Sequence, residues 1–186
     1  MADYLRLPDG LAPPADDGAA GHLTGMILPS VVLPASDGGT VDLSDLDGRV
    51  VLYIYPATGR PGVKLPEGWD ALPGARGCTP QSCSFRDHHA ELQALGVSSV
   101  YGISAQPLAD QAEAADRLHL PFPLLSDEAG DLRRALDLPW FNLGGMLYLK
   151  RMALIVEDGR IAKVFYPVFP PDRNAADVVA YLAAGR

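Results

Sequence analysis

Apolar residues along this chain fall into short continuous runs, separated by stretches in which they recur every third or fourth position. Val50-Val51-Leu52-Tyr53-Ile54-Tyr55 is an unbroken apolar, β-branched and aromatic run closed by Pro56, the pattern of a central strand covered on both faces. Ser98-Ser99-Val100-Tyr101-Gly102-Ile103-Ser104 reads as a second buried strand. Between the two, Phe85, His88, His89, Leu92 and Leu95 keep helical spacing, and Leu108, Ala112, Ala115 and Leu118 do so after them. An extended segment over 121–127 leads to a further helix around 129–137. Residues 152–156 and 161–165 flank Glu157-Asp158-Gly159-Arg160, a hairpin signal. The C-terminal helix turns Val178, Tyr181 and Leu182 inward and has Asp172 or Asn174 as its cap. Ahead of all these, residues 28–33 and 40–43 flank Asp37-Gly38-Gly39 and predict an opening β-hairpin.

That order, a hairpin followed by β-α-β-α-β-β-α, predicts an α/β protein with a mixed central sheet and helices on both faces, a thioredoxin-like arrangement. Residues 1–24 are rich in Pro, Gly, Asp and Ala and predict a loose N-terminal extension before one domain over 25–186. Composition narrows the function classes. A net charge of −8 without a Lys/Arg cluster argues against a nucleic-acid surface. No stretch has the roughly 18 to 20 apolar residues of a membrane span, and no basic-then-apolar leader opens the chain. A cytoplasmic protein without membrane partners is expected, and no motif calls for a cofactor. The chain has two cysteines, which suits a reducing compartment where a disulfide is transient.

Those cysteines sit five positions apart in Gly77-Cys78-Thr79-Pro80-Gln81-Ser82-Cys83-Ser84-Phe85-Arg86-Asp87. A glycine-rich loop precedes Cys78 and the helical pattern follows it, so Cys78 falls at or just before a first turn. Unpaired amides and the positive end of the helix dipole favour an anion there. Together with a nearby basic side chain, such a position makes thiolate, the nucleophilic form, available at neutral pH. Two helical residues five apart have Cα atoms ~8 to 9 Å from each other, beyond the roughly 4.4 to 6.8 Å of a disulfide. A bridge between helical Cys78 and Cys83 therefore requires the first turn or two to unwind. Two other readings stand beside the redox couple. Small buried cysteines are often inert. A metal site with His88 and His89 is disfavoured, because two cysteines and two adjacent histidines on one helix do not converge tetrahedrally.

The run GCTPQSCSFRD resembles the signature of the peroxiredoxins of the bacterioferritin-comigratory, or Q, type. Val51-Leu52-Tyr53-Ile54-Tyr55-Pro56, Tyr101-Gly102-Ile103-Ser104 and Leu120-Pro121-Phe122-Pro123-Leu124-Leu125-Ser126-Asp127 are similar to family segments too, and the likeness covers roughly residues 25–185. What it implies is peroxide reduction by a monomer or homodimer. Cys78 is then the peroxidatic cysteine that becomes a sulfenic acid, and Cys83 the resolving cysteine that condenses with it. The resulting disulfide is reduced by thioredoxin or a similar thiol donor. Arg151 takes the place of the family's active-site arginine, holding the thiolate and donating to the peroxide.

One region departs from that family. Its proline seven residues ahead of the cysteine and its threonine or serine three ahead are here Ala71 and Ala75. Pro56 follows the strand as the pattern requires, but 21 residues separate it from Cys78 where the family has six, an insertion of about fifteen. Pro56, Thr58 and Thr79 are the candidate substrate-positioning residues, with Thr79 equally a helix cap. An alignment without the insertion puts Val63 in the nucleophile's place. The inserted stretch, rich in Pro and Gly and carrying Trp69, reads as a lid or an interface, with Trp69 and Trp140 as candidate pocket walls. Two function classes follow: a thiol peroxidase, or a thioredoxin-like redox sensor or disulfide exchanger with negligible peroxide turnover.

Overall fold

The computed structural model describes residues 7 and 10–185. Its centre is a five-stranded mixed sheet of β3 (Arg49–Ile54), β4 (Val97–Ser104), β5 (Leu124–Ser126), β8 (Met152–Glu157) and β9 (Arg160–Phe165). The spatial order is β5-β4-β3-β8-β9. β4 lies parallel to β3 and β5, while β8 runs antiparallel to β3 and β9. The parallel pairs need crossovers. These are α1 (Cys78–Asp87) with α2 (His89–Ala94), and then α3 (Leu108–Leu118). The β8–β9 turn is Asp158-Gly159, both with positive φ, the geometry a tight hairpin of twisted strands demands. The opening hairpin pairs β1 (Val32–Pro34) with β2 (Thr40–Asp42), placing Leu33 opposite Val41.

Strand alternation divides the core between the two faces of the sheet. Val51, Tyr53 and Tyr55 point to one side, packing with Phe85 of α1, Leu92 of α2, Ala114 of α3 and Val178 of α5 (Asn174–Ala183). Val50, Leu52 and Ile54 point to the other, packing with Leu132 and Leu136 of α4 (Asp131–Leu136) and with Leu33. The α/β, thioredoxin-like architecture with helices on both faces is thus the observed one.

Four local expectations need correction. Ala20 and Leu23 are buried in the second of these cores, Gly25 N–H donates to the Ile161 carbonyl, and Asp17 pairs with Lys150. The end of the segment ahead of residue 25 is therefore packed, anchored by two apolar side chains that its polar composition hides, while residues 10–18 are mostly exposed; residues 1–6, 8 and 9 lie outside the described residues. The helix after Cys78 is two helices, broken at His88. Both the His88 amide and Nδ1 reach the Ser84 carbonyl, at 3.1 and 2.9 Å, and end the first helix there. On α3 the buried positions are Gln111, Ala114 and Leu118, a face rotated from the apolar one. Finally, β6 (Trp140–Leu143) and β7 (Met146–Leu149) form a hairpin over Gly144-Gly145, in a stretch where the apolar pattern predicts no strand.

This last hairpin meets the insertion. Trp69, in a 3-10 turn at Trp69–Ala71, packs edge-on against Tyr148 at a ring separation of 4.9 Å, and Phe141 stacks on Tyr148. With Ala75, Leu65, Leu72 and Leu143 they make a third apolar cluster. Trp69 is thus a packing residue that also lines a cavity of the inserted loop, beside Leu65 and Pro66. Trp140 is 45% exposed, with the Arg133 guanidinium over its ring.

Candidate active site

β3 ends at the buried Tyr55-Pro56, and the inserted loop returns the chain to the start of α1. Gly77 turns it there with φ +100°. A Cβ at this position would lie 2.3 Å from Pro171 Cγ and 2.7 Å from Leu7 Cδ2. Only glycine allows both the backbone conformation and the close approach. Cys78 is then the first helical residue. No side chain caps this end, and the first turn carries no acidic group. Pro80 has no N–H, so the amides of Cys78 and Thr79 carry the anion-favouring character of the terminus. Thr79 is buried in that first turn and the cap position belongs to Gly77, which corrects the expectation of a threonine cap. Asn174 likewise does not cap α5; Arg173 precedes that helix, and the Asn174 side chain faces inward.

Arg151, between β7 and β8, comes to the same point. Its Nη2 donates toward Cys78 Sγ at 3.2 Å and lies 2.9 to 3.4 Å from the carbonyls of Gly74, Ala75 and Arg76. Its Nη1 donates to Gln81 Oε1, and Gln81 Nε2 donates to Asn174 Oδ1 at 2.8 Å. The guanidinium thus binds the Cys78 sulfur, the end of the inserted loop and the second turn of α1 at once. Arg151 is only 3% exposed, and among the described residues no carboxylate pairs with it. Cys78 Sγ is the side-chain sulfur this buried guanidinium faces. Among the described residues Arg151 Nε, which is buried, has no hydrogen-bond partner, a donor left over for a bound oxygen.

Both cysteines are free thiols, Cys78 buried and Cys83 half-buried. They lie on one helix, Cys78–Asp87, so the spacing argument against a bridge in this folded form holds. Burial pushes the Cys83 thiol up from its ordinary range, opposed by the charges of Arg86 and Arg117. The shift has a sign for stability. A thiol raised in the fold favours folding fully below the unfolded value, and that contribution is lost as pH rises through the folded value. In a Cys78→Ser variant, iodoacetamide should alkylate Cys83 with a midpoint above that of an unstructured cysteine peptide. A midpoint at or below the peptide's would show that the arginines outweigh burial.

Pro56 and Thr58, the other expected positioning residues, are hydrogen-bonded to the end of β4 and the residues after it. Thr58 gives both its amide and its hydroxyl to Gln106 Oε1, at 2.7 and 3.2 Å, beyond the end of β4. The Pro56 carbonyl accepts from Ser104 Oγ at 2.9 Å. These bonds fix the stem of the insertion and leave the Thr58 hydroxyl hydrogen committed elsewhere. Val63 is 55% exposed in the inserted loop, whereas Cys78 is the residue at the helix start. His88 and His89 are spent on the Ser84 carbonyl and on the Phe122 ring. Gln81 and Asn174 were absent from the expected site. The signal for Gln81 was a polar side chain three residues after Cys78, on the same side of the helix.

A thioredoxin-like sheet that offers a buried, arginine-bonded cysteine at a helix start, with a second thiol five residues on, defines a thiol-based redox protein. A family model described as Redoxin matches residues 23–182. A putative peroxiredoxin of Mycobacterium tuberculosis is 32% identical over 166 residues, 88% of this chain and 97% of that protein. Chloroplastic peroxiredoxin Q of Triticum aestivum is 31% identical over 156 residues, 83% of this chain; the chain spans 64% of that protein's length, just under two thirds. The crystal structure of peroxidoxin BcpB from Mycobacterium tuberculosis superposes with a TM-score of 0.69 at 30% identity, covering 88% of this chain and 97% of that one. The chain belongs to the redoxin family, among its peroxiredoxins.

Proposed function

We propose that this chain is a thiol-dependent peroxidase acting on hydrogen peroxide and small organic hydroperoxides. The observation that carries the reading is the contact between Arg151 Nη2 and Cys78 Sγ at the uncapped start of α1. In the first step the Cys78 thiolate attacks one peroxide oxygen. The S–O bond forms, the O–O bond breaks, and the second oxygen leaves with a proton as water or an alcohol. The guanidinium donates to the oxygens on which charge develops. Cys83 then attacks the sulfenic sulfur: an S–S bond forms, the S–O bond breaks, and hydroxide leaves as water. The unwinding required by the helical spacing precedes that step. A thioredoxin-like dithiol restores both cysteines and is itself oxidised. The setting in this reading is a reducing one, the cytoplasm, supported by two unpaired thiols in the whole chain.

One observation favours the sensor reading as an alternative: Ala71 and Ala75 bring no hydroxyl to the nucleophile, and the Thr58 hydroxyl is bonded to Gln106. Rapid mixing of the reduced protein with hydrogen peroxide, followed by tryptophan fluorescence, separates the two. Oxidation far faster than that of a free thiol is expected, and oxidation at the free-thiol rate would remove the peroxidase reading. A Cys83→Ser variant should accumulate a dimedone-reactive sulfenic acid on Cys78. Labelling of Cys78 that never exceeds background in this variant would overturn the assignment of roles.

A further inference from the structure

Two sets of contacts hold the short loop that leads into α1. Arg151 collects its carbonyls, those of Gly74, Ala75 and Arg76. The N-terminal segment meets it at its two glycines. A Cβ on Gly74 would lie 3.4 Å from Pro14 Cβ, and one on Gly77 would lie 2.7 Å from Leu7 Cδ2 and 2.3 Å from Pro171 Cγ. With no side chain at either position, the segment packs directly on the loop backbone. Gly77 matters most, because its carbonyl accepts the Gln81 amide at 3.0 Å, the hydrogen bond that closes the first turn of α1. Any opening of that turn moves Gly77 against Leu7 and Pro171.

The segment itself is lightly packed. Residues 10–18 are mostly exposed, and cavities of about 340 and 330 Å³ lie beside Leu11 and beside Pro14, both reaching Leu72 and Pro73 of the inserted stretch. Unfilled space of this kind forfeits dispersion contacts. The firm attachment is polar: Asp17 pairs with Lys150 Nζ at 2.5 Å and accepts from Tyr166 Oη at 2.7 Å. Those partners keep its carboxyl well below the usual carboxylate range, so the anchor stays charged at neutral pH. Lys150 immediately precedes Arg151, so the segment is tied down next to the arginine that holds the same loop. Leu7, Pro14 and Asp17 all precede residues 23–182, which match the family model, and the device belongs to this chain's own extension.

We propose that Leu7 and residues 10–17 form a strap, anchored by Asp17, that restrains the first turn of α1 and thereby sets how readily it unwinds to bring Cys83 to Cys78. Asp17 and Leu7 are positioning residues that act through the Gly77 turn. The consequence for turnover rests on the peroxidase reading above, and one arm of the test needs no peroxide. In the reduced protein, amide hydrogen exchange at Gln81 reports opening of the first turn. Asp17→Ala and Leu7→Ala should each speed it about five- to tenfold, the scale of one charge-assisted hydrogen bond with a partly exposed ion pair, and leave the β4 amides unchanged. Asp17→Glu, which keeps the charge, should recover most of the protection. With hydrogen peroxide, rapid quenching by N-ethylmaleimide and mass analysis should show the Cys78–Cys83 disulfide forming faster by the same factor, while the preceding sulfenic acid forms at the parent rate. Gln81 exchange within about twofold of the parent in both alanine variants overturns the strap, as does an equal rise at β4, which is general loosening of the fold. If Gln81 exchange rises as expected but peroxide yields no disulfide, the strap stands and the peroxidase reading falls.

Discussion

Arg151→Lys is expected to lower kcat/KM for hydrogen peroxide by about a hundred- to a thousandfold, the range seen when one preorganised donor to developing oxygen charge is removed. The expectation follows from what the guanidinium does simultaneously. One nitrogen holds Gln81, a second faces Cys78 Sγ and three loop carbonyls, and the third carries an unused hydrogen. A lysine ammonium keeps the charge but is a single point of donation on a flexible stem. It can approach the thiol or the Gly74–Arg76 carbonyls, and it has no planar fork to serve the opposite side. The Gln81 to Asn174 link between α1 and α5 would then lose its fixed end. Pre-steady-state oxidation of the reduced variant measures the loss, with circular dichroism establishing that the fold is kept. A folded Arg151→Lys protein reacting within tenfold of the parent would show that the charge alone matters and that the geometry described here is not what activates Cys78.

How far the chain announces this arrangement varies by element. β3 and β4 are continuous apolar runs because both of their faces are covered, and they are legible for that reason. The β8–β9 turn is legible because Asp158-Gly159 supplies the positive φ that a tight hairpin requires. Cys78 and Cys83 are legible from spacing and context, whereas Arg151 is singled out only by the resemblance to peroxiredoxins, and its contact with Cys78 Sγ is visible only in the fold. The β6–β7 hairpin is not legible, although Gly144-Gly145 is a turn dipeptide of the same kind. Its half-buried side chains make contact with the inserted loop, and no local pattern encodes a partner so far away in sequence. The N-terminal segment was misread for a similar reason: Ala20 and Leu23 are two anchors in polar surroundings. The partner of the Thr58 hydroxyl, Gln106, is not legible either, because proximity in sequence says nothing of which acceptor a hydroxyl will find.

The insertion makes its own test. Trp69→Ala should destabilise the protein by about 3 to 5 kcal/mol, the cost of removing a buried large aromatic, and lower the Tm by roughly 6 to 20 °C at about 2 to 4 °C per kcal/mol for a chain of this size. Trp69 is 2% exposed and edge-on to Tyr148, so its removal empties the centre of the cluster that joins the insertion to the β6–β7 hairpin. Ala75 is in that cluster, fully buried, and its carbonyl receives both Arg151 Nη2 and the Cys78 thiol, the latter at 3.6 Å. The packing of the inserted loop is therefore what fixes the carbonyls around the nucleophile. Loss of the indole should slow peroxide oxidation of Cys78 along with lowering Tm, while Trp69→Phe, which keeps an aromatic against Tyr148, should recover most of both. Calorimetry and rapid-mixing kinetics on the two variants check this. A Trp69→Ala protein that loses stability but oxidises at the parent rate well below its Tm would separate the insertion from the site, leaving Arg151 and the start of α1 sufficient to prepare Cys78.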